Sequence, residues 1–336
     1  MTGRSTPNHL LGEEWMTKKL HEEHEEVMHY TSASGLYGIV TSKTLWASHT
    51  SFLNDMEEVV GFFDRVLREI LRPKVEEYFK SVENRSELVR AGCLLGENVD
   101  THFLKRIIDK CKEAEFRAQD HYVASFCTTG DSWISQHGLL SQWRGYGLDG
   151  GYAIVFDSAG LDSFLTEEAK TYHEETLMLA DAQYCLLEQS QITDSQVLDL
   201  IKKLRDSVYR YLTTGDPEEF DFGSASQLAT ICKHRGFEEE KEVRIVVSEP
   251  SVEMGPDPEK VNEKPYRKAH SYFRNGVAVP CIHLFEAQKL KTLPIRRIIV
   301  GPNLDKLQRK RAVEILLRDH DIAATVSVSD TPFRGK

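Results

Sequence analysis

Short apolar runs rich in β-branched and aromatic residues recur along this chain, and none of them is long. HYVASFCTT (121–129), GGYAIVFD (150–157), EKEVRIVV (240–247), VAVPCIHLF (277–285), PIRRIIVG (294–301) and IAATVSVSD (322–330) are each bounded by Gly, Pro or polar residues, the mark of strands. Strands must pair and bury a face to be stable. The stretches between them carry helical periodicity, so the chain is expected to be mixed α+β with six or seven strands.

No run approaches the roughly 20 consecutive apolar residues that a spanning helix needs. The 336 residues are 40% hydrophobic and 28% charged, which suits a soluble globular chain and neither disorder nor a membrane protein. Residues 1–27, with HEEHEEV, lack the basic start and apolar run of a secretory signal. The six cysteines stand singly, with no C-x-x-C pair, and read as reduced, buried thiols of a cytoplasmic protein. A net charge of −11 argues against a broad nucleic-acid surface. The basic stretch from Arg296 to Arg311 reads as a solvated face.

Near the start, HYTS (29–32) precedes a short helix and then a second strand, LWAS (45–48). The period of two places His29 and Thr31 on one strand face and Tyr30 on the other. In FLNDMEEVVGFFDRVLREILRPK, Asp55 is expected to cap a helix with Glu57 and Glu58 in its first turn, and Pro73 to break it. WISQHGLLSQWRGYGLDG, between two strands, reads as a loop with aromatic anchors at Trp133, Trp143 and Tyr146. Residues 1–26 are expected to be an extension. Residues 27–336 are expected to be a single α+β domain with helical insertions at about 56–119 and 158–235, since no long Pro/Ser/Gly linker divides them.

EKEVRIVV alternates cleanly. Lys241, Val243, Ile245 and Val247 share one face, while Glu240, Glu242, Arg244 and Val246 share the other. Two carboxylates about 7 Å apart at the backbone, from a rise of about 3.3 Å per residue, disfavour joint ionisation unless a cation offsets them. Such a pair suits a site of developing positive charge; the alternative is a solvated face with an intrastrand ion pair. Fingerprints for dinucleotides, P-loops and serine nucleophiles are absent. His21 and His24 lack a third nearby ligand, and no metal site is expected.

In order along the chain, HYTS, LWAS, FLNDMEE (52–58), SFC (125–127), WRGYG with GYAIVFD (143–157), Lys233 and Phe237 before ExExR (240–244), RIIVGPN (297–303) and PFR (332–334) resemble the family catalogued as domain of unknown function 2971. More distantly, an early His strand, a mid-chain aromatic and a late Glu strand are similar to ADP-ribosyltransferases of the His-Tyr-Glu type. That resemblance implies a mostly antiparallel sheet core of ADP-ribosyltransferase-like type with large helical insertions. It implies NAD as substrate, with His29 on the ribose and Thr31 supporting it. Tyr146 or Tyr30 would be the nicotinamide-stacking aromatic, and Glu242 or Glu240 the catalytic carboxylate. Arg144 and Arg244 would meet the pyrophosphate, and Ser32, Asn54 and Trp143 would complete the cleft. Its expected partners are a small-molecule nucleotide and a macromolecular ADP-ribose acceptor or regulatory protein, and the habit of such enzymes is a bacterial toxin or anti-phage defence effector. The residues alone leave two other readings open. One is a non-catalytic nucleotide- or protein-binding module using the loop from Trp133 to Tyr146. The other is a metal-dependent nuclease built on Asp157, Glu239 and Lys241.

Overall fold

A forked β-sheet organises the chain. In a computed structural model, which describes residues 19–53, 61–82, 99–146, 151–173, 177–184, 192–216, 219–250 and 264–332, the ten-residue strand β3 (Gln119–Thr128) is the stem of the fork. Along one edge it pairs antiparallel with β6 (Glu242–Pro250), from Gln119↔Pro250 to Cys127↔Glu242, and β5 (Met178–Asp181) extends that side. Along its other edge two strands share it. β1 (Glu26–Thr31) takes the end at Cys127 and Thr128, and β2 (Leu45–His49) takes the end at Tyr122 and Val123. From β1 one arm runs through β4 (Tyr152–Asp157), β9 (Ile295–Val300) and β10 (Thr325–Val328); from β2 another runs through β8 (Val277–Leu284) and β7 (Ala269–Arg274). All pairings between these strands are antiparallel except β9 with β10, whose crossover is α9 (Lys306–Asp319). The architecture is therefore α+β with a mostly antiparallel sheet.

One face of the sheet carries a continuous apolar core. Val27, Tyr122, Ala124, Phe126, Ile154, Phe156, Val243, Ile245, Val247 and Ile298 point to it and pack under α1 (Ala33–Ser42), α6 (Ser158–Thr171) and α9. On the opposite face the apolar residues fall into two groups. One, with Val123, Met178 and Val246, lies under α2 (Leu67–Val82), α3 (Val99–Ala118), α7 (Ser195–Thr214) and α8 (Phe222–Ile231). The other contains Met28, Tyr30, Cys127, Trp143, Ala153, Val155 and Ile299.

Several expectations need correction. Pro73 does not end its helix, which continues from Leu67 to Val82. Buried Ile70, Leu71 and Val75 hold it in place, and Arg205 Nε donates to the Ile70 carbonyl at 2.8 Å, close to where proline removes a helical donor. The aromatic stretch is not a loop but two short helices, α4 (Ser132–His137) and α5 (Leu140–Tyr146). Asp131 caps the first by accepting from the amides of Trp133 and Ile134. Gly138, at φ 74°, ends it where a Cβ would meet the Trp143 ring at 2.4 Å. The segment 158–235 is not wholly helical, since β5 is a strand whose four residues read as too short to register alone. β7 has a polar, half-exposed sequence, AHSYFR, and forms a hairpin with β8 through Asn275 and Gly276, both at positive φ. Asp55, Glu57 and Glu58 lie outside the described residues.

Candidate functional site

The two apolar groups on the divided face do not meet; a polar seam runs between them at the fork. Cross-strand partners share a face, so the register Met28↔Cys127↔Glu242 and Ser125↔Arg244 puts Cys127, half-buried Ser125, Glu242 and Arg244 side by side there. Lys233, beyond the end of α8, reaches in from the turn that precedes β6. Its Nζ donates to Glu240 Oε2 at 2.6 Å and to Glu242 Oε2 at 2.5 Å. Arg244 donates to Glu242 through Nε (3.0 Å) and Nη2 (3.1 Å), and through Nη1 to the Thr230 carbonyl at 2.7 Å. The amide of Glu242 donates to the Tyr184 hydroxyl at 2.9 Å.

Two cations thus balance two carboxylates in a nearly dry place. Glu242 is only 3% exposed and Arg244 1%, so the solvated strand face is replaced by a buried network. Burial by itself raises the pKa of Glu242, but Arg244 and then Lys233 outweigh it and bring it down to about 2. Glu240, on the short helical turn Arg235–Glu240 rather than on the strand, goes the other way. Burial raises its pKa, Lys233 opposes the rise, and the charge of Glu242 adds to it. Burial also pushes up the Tyr30 and Tyr184 phenols and the Cys127 thiol. Cys127 is thereby held as an unreactive thiol, and Cys111, Cys232 and Cys281 are likewise buried thiols.

The wall of the seam on the β1 side is the α4–α5 pair. The Tyr30 hydroxyl accepts from the Leu139 amide at 2.7 Å, and its ring meets Trp143 edge to face at 4.9 Å. Trp143 Nε1 donates to the His137 carbonyl, as does Ser329 Oγ from beyond β10. Arg297 forks onto Glu26 with both terminal nitrogens at 2.5 Å and also bonds the Ser135 carbonyl. The helices are therefore tied to β1, β9 and the chain after β10.

Of the expected site residues, the seam gathers Tyr30, Trp143, Glu240, Glu242 and Arg244. Arg144 is exposed on α5, and the Tyr146 side chain lies outside what is described, as does Asn54. His29 and Thr31 are on the other face. Paired with Ile154 and Tyr152 of the continuous core, they are separated from Glu242 by the sheet itself. His29 Nδ1 bonds the Ser125 carbonyl at 2.9 Å, where β1 has left the ladder with β3, and burial lowers its pKa. Ser32 caps α1, accepting from the Gly35 amide. Arg244 is committed to Glu242 and Thr230 rather than offered to a phosphate. Asp157 caps α6 and pairs with Arg296, three strand spacings or about 14 Å from the level of Glu242, while Glu239 and Lys241 are exposed. Those three residues do not converge. His21 bonds Asp162 at 2.6 Å rather than sharing an ion with His24.

Lys233, Tyr184, Ser125 and Cys127 received no role from sequence. The signal for Lys233 was a cation five residues ahead of the acidic run that begins at Glu238, and only the turn that folds it back reveals its purpose.

A family match spans the seam. Residues 142–245 match the model of a family described as protein of unknown function (DUF2971), in keeping with the resemblance read from the motifs. The matched stretch begins on α5, at one wall, and ends on β6, at the other. No curated protein and no solved structure matches the chain. Among the described residues no helix is long and apolar enough to cross a membrane.

Proposed function

We propose that the seam is the active site of an enzyme that cleaves or transfers at the N-glycosidic bond of a nucleotide, with NAD the substrate to test first. The supporting observation is the pair of carboxylates whose surroundings push their pKa values in opposite directions, a pattern that assigns acid and base roles. Loss of nicotinamide breaks the bond from ribose C1′ to the pyridinium nitrogen and builds positive charge on C1′. Glu242, held ionised in a water-poor site, stabilises that charge. Nicotinamide leaves as a neutral base and needs no proton. Glu240, the more exposed carboxylate and the more basic one, takes the proton from the water or acceptor hydroxyl whose oxygen bonds C1′. Arg144 supplies an exposed guanidinium suited to a pyrophosphate. Buried thiols suit a cytoplasmic setting.

In this reading His29 is a structural pin between β1 and β3. The test is release of free nicotinamide from NAD by the purified chain and by Glu240→Gln and Glu242→Gln. Turnover that survives in both variants refutes the assignment. A second reading, a non-catalytic nucleotide-binding module, is favoured by the way two cations already satisfy Glu242; it predicts a saturable thermal shift with NAD and no nicotinamide.

A further inference from the structure

Away from the seam, on the β2–β8–β7 arm, three aromatic rings stand in a column. Trp46 of β2 lies parallel to His283 of β8, with centroids 5.2 Å apart and planes 2° apart. His283 in turn lies parallel to His270 of β7, at 4.0 Å and 10°. The base of the column is fixed. Trp46 Nε1 donates to Thr44 Oγ1 at 3.2 Å, and its ring lies so close to α1 that a Cβ on Gly38 would be 2.2 Å from Cη2. Glu286, on the helical turn after β8, brings Oε2 to 3.4 Å from His270 Nε2. That nitrogen is buried and makes no hydrogen bond among the described residues.

We infer that His270, His283 and Glu286 form a site for a divalent transition ion of the zinc class. One ligand atom from each of the three lies within 4.8 Å of the other two, near enough for a side-chain rotation to bring them around a single ion. Two imidazoles and one carboxylate are a donor set that zinc accepts, leaving a fourth position open. A ring nitrogen's lone pair lies in the ring plane, so one ion cannot lie in the planes of two stacked rings. Binding therefore turns one ring out of the column. His283 is clamped by Trp46, and His270 sits on the edge strand, so His270 is the ring that turns.

This inference is independent of the proposed chemistry at the seam. The test is calorimetric titration of the full chain with zinc chloride at neutral pH, with magnesium chloride as the control. The expected result is saturable binding of one zinc per chain, no heat from magnesium, and a loss of about tenfold or more in affinity in both His270→Ala and Glu286→Gln. Both residues are partly exposed, and unchanged thermal unfolding of each variant without metal establishes that it folds. Cobalt substitution should give the strong visible bands of a tetrahedral ion in the wild type and not in His270→Ala. Zinc binding of equal stoichiometry and affinity in wild type and both variants overturns the site. So does binding abolished by His24→Ala, which would assign the ion to the group of Glu23, His24 and Asp181.

Discussion

The two faces of the forked sheet are built from the same strands and solve different problems. On β6, Val243, Ile245 and Val247 enter one uninterrupted apolar core, while Glu242 and Arg244, one residue out of phase, enter a charged seam. An apolar face tolerates small rearrangements because its attraction has no direction. A buried ion network does not, since each charge lacks water and depends on named partners. The continuous face therefore supplies stability, and the divided face holds polar groups at fixed distances where a reaction can use them.

Adjacent residues of β6 offer the most forceful way to break this comparison. Arg244→Met leaves Glu242 buried with Lys233 as its remaining cation and is expected to cost about 3–5 kcal/mol in urea unfolding. Ile245→Ala, on the other face, should cost a similar 2–5 kcal/mol, roughly, for a different reason, a cavity. Adding Glu242→Gln separates the two, because it should relieve much of the Arg244→Met loss and simply add to that of Ile245→Ala. Additivity in both cases would mean that the seam is not one coupled network.

Acid unfolding sharpens the same contrast. The folded pKa of Glu242 is about 2, below its ordinary 4.5. Its stabilisation is fully present above pH 4.5 and is lost as pH falls toward 2, on the order of 3 kcal/mol in total. Glu240, Glu168 and Glu249 have raised values and act in the opposite sense, withdrawing stability as pH rises from 4.5 through their folded pKa values. Unfolding free energies from pH 5 to 2 should thus show a steep acid limb in the wild type that flattens in Glu242→Gln. An unchanged limb would show that the charge of Glu242 is not what the seam protects.

Smaller effects mark the borders of the seam. Asp131→Ala removes two cap hydrogen bonds from α4 and should cost about 1 kcal/mol by thermal unfolding, without affecting the β6 side. Glu239→Gln, on an exposed position outside the network, should stay within about 0.5 kcal/mol of wild type.

Much of this arrangement was legible in the sequence wherever periodicity carried it. The alternation of EKEVRIVV placed Val243, Ile245 and Val247 opposite Glu242 and Arg244, and HYTS placed His29 and Thr31 opposite Tyr30, as the structure does, although Glu240 and Lys241 precede the strand and Val246 joins an apolar group. What periodicity does not carry is which strand face meets which across the sheet. That depends on the register between β1, β3 and β6, set by pairings between residues far apart in the chain, such as Met28 with Cys127 and Cys127 with Glu242. Hence His29 and Glu242 were expected in one cleft although the sheet divides them. β5 and β7 escaped for a more local reason: one is four residues long, and the other alternates without apolar strength. In retrospect the Asn275–Gly276 pair before an apolar run was the hairpin signal for β7.

The central claim is that the chemistry belongs to the divided face, and nicotinamide release from NAD by His29→Gln and Glu240→Gln, each normalised to folded protein, tests it most directly. The account predicts that His29→Gln keeps most of the wild-type rate while Glu240→Gln loses nearly all of it. A dead His29→Gln beside an active Glu240→Gln would put the reaction on the opposite face and contradict the account.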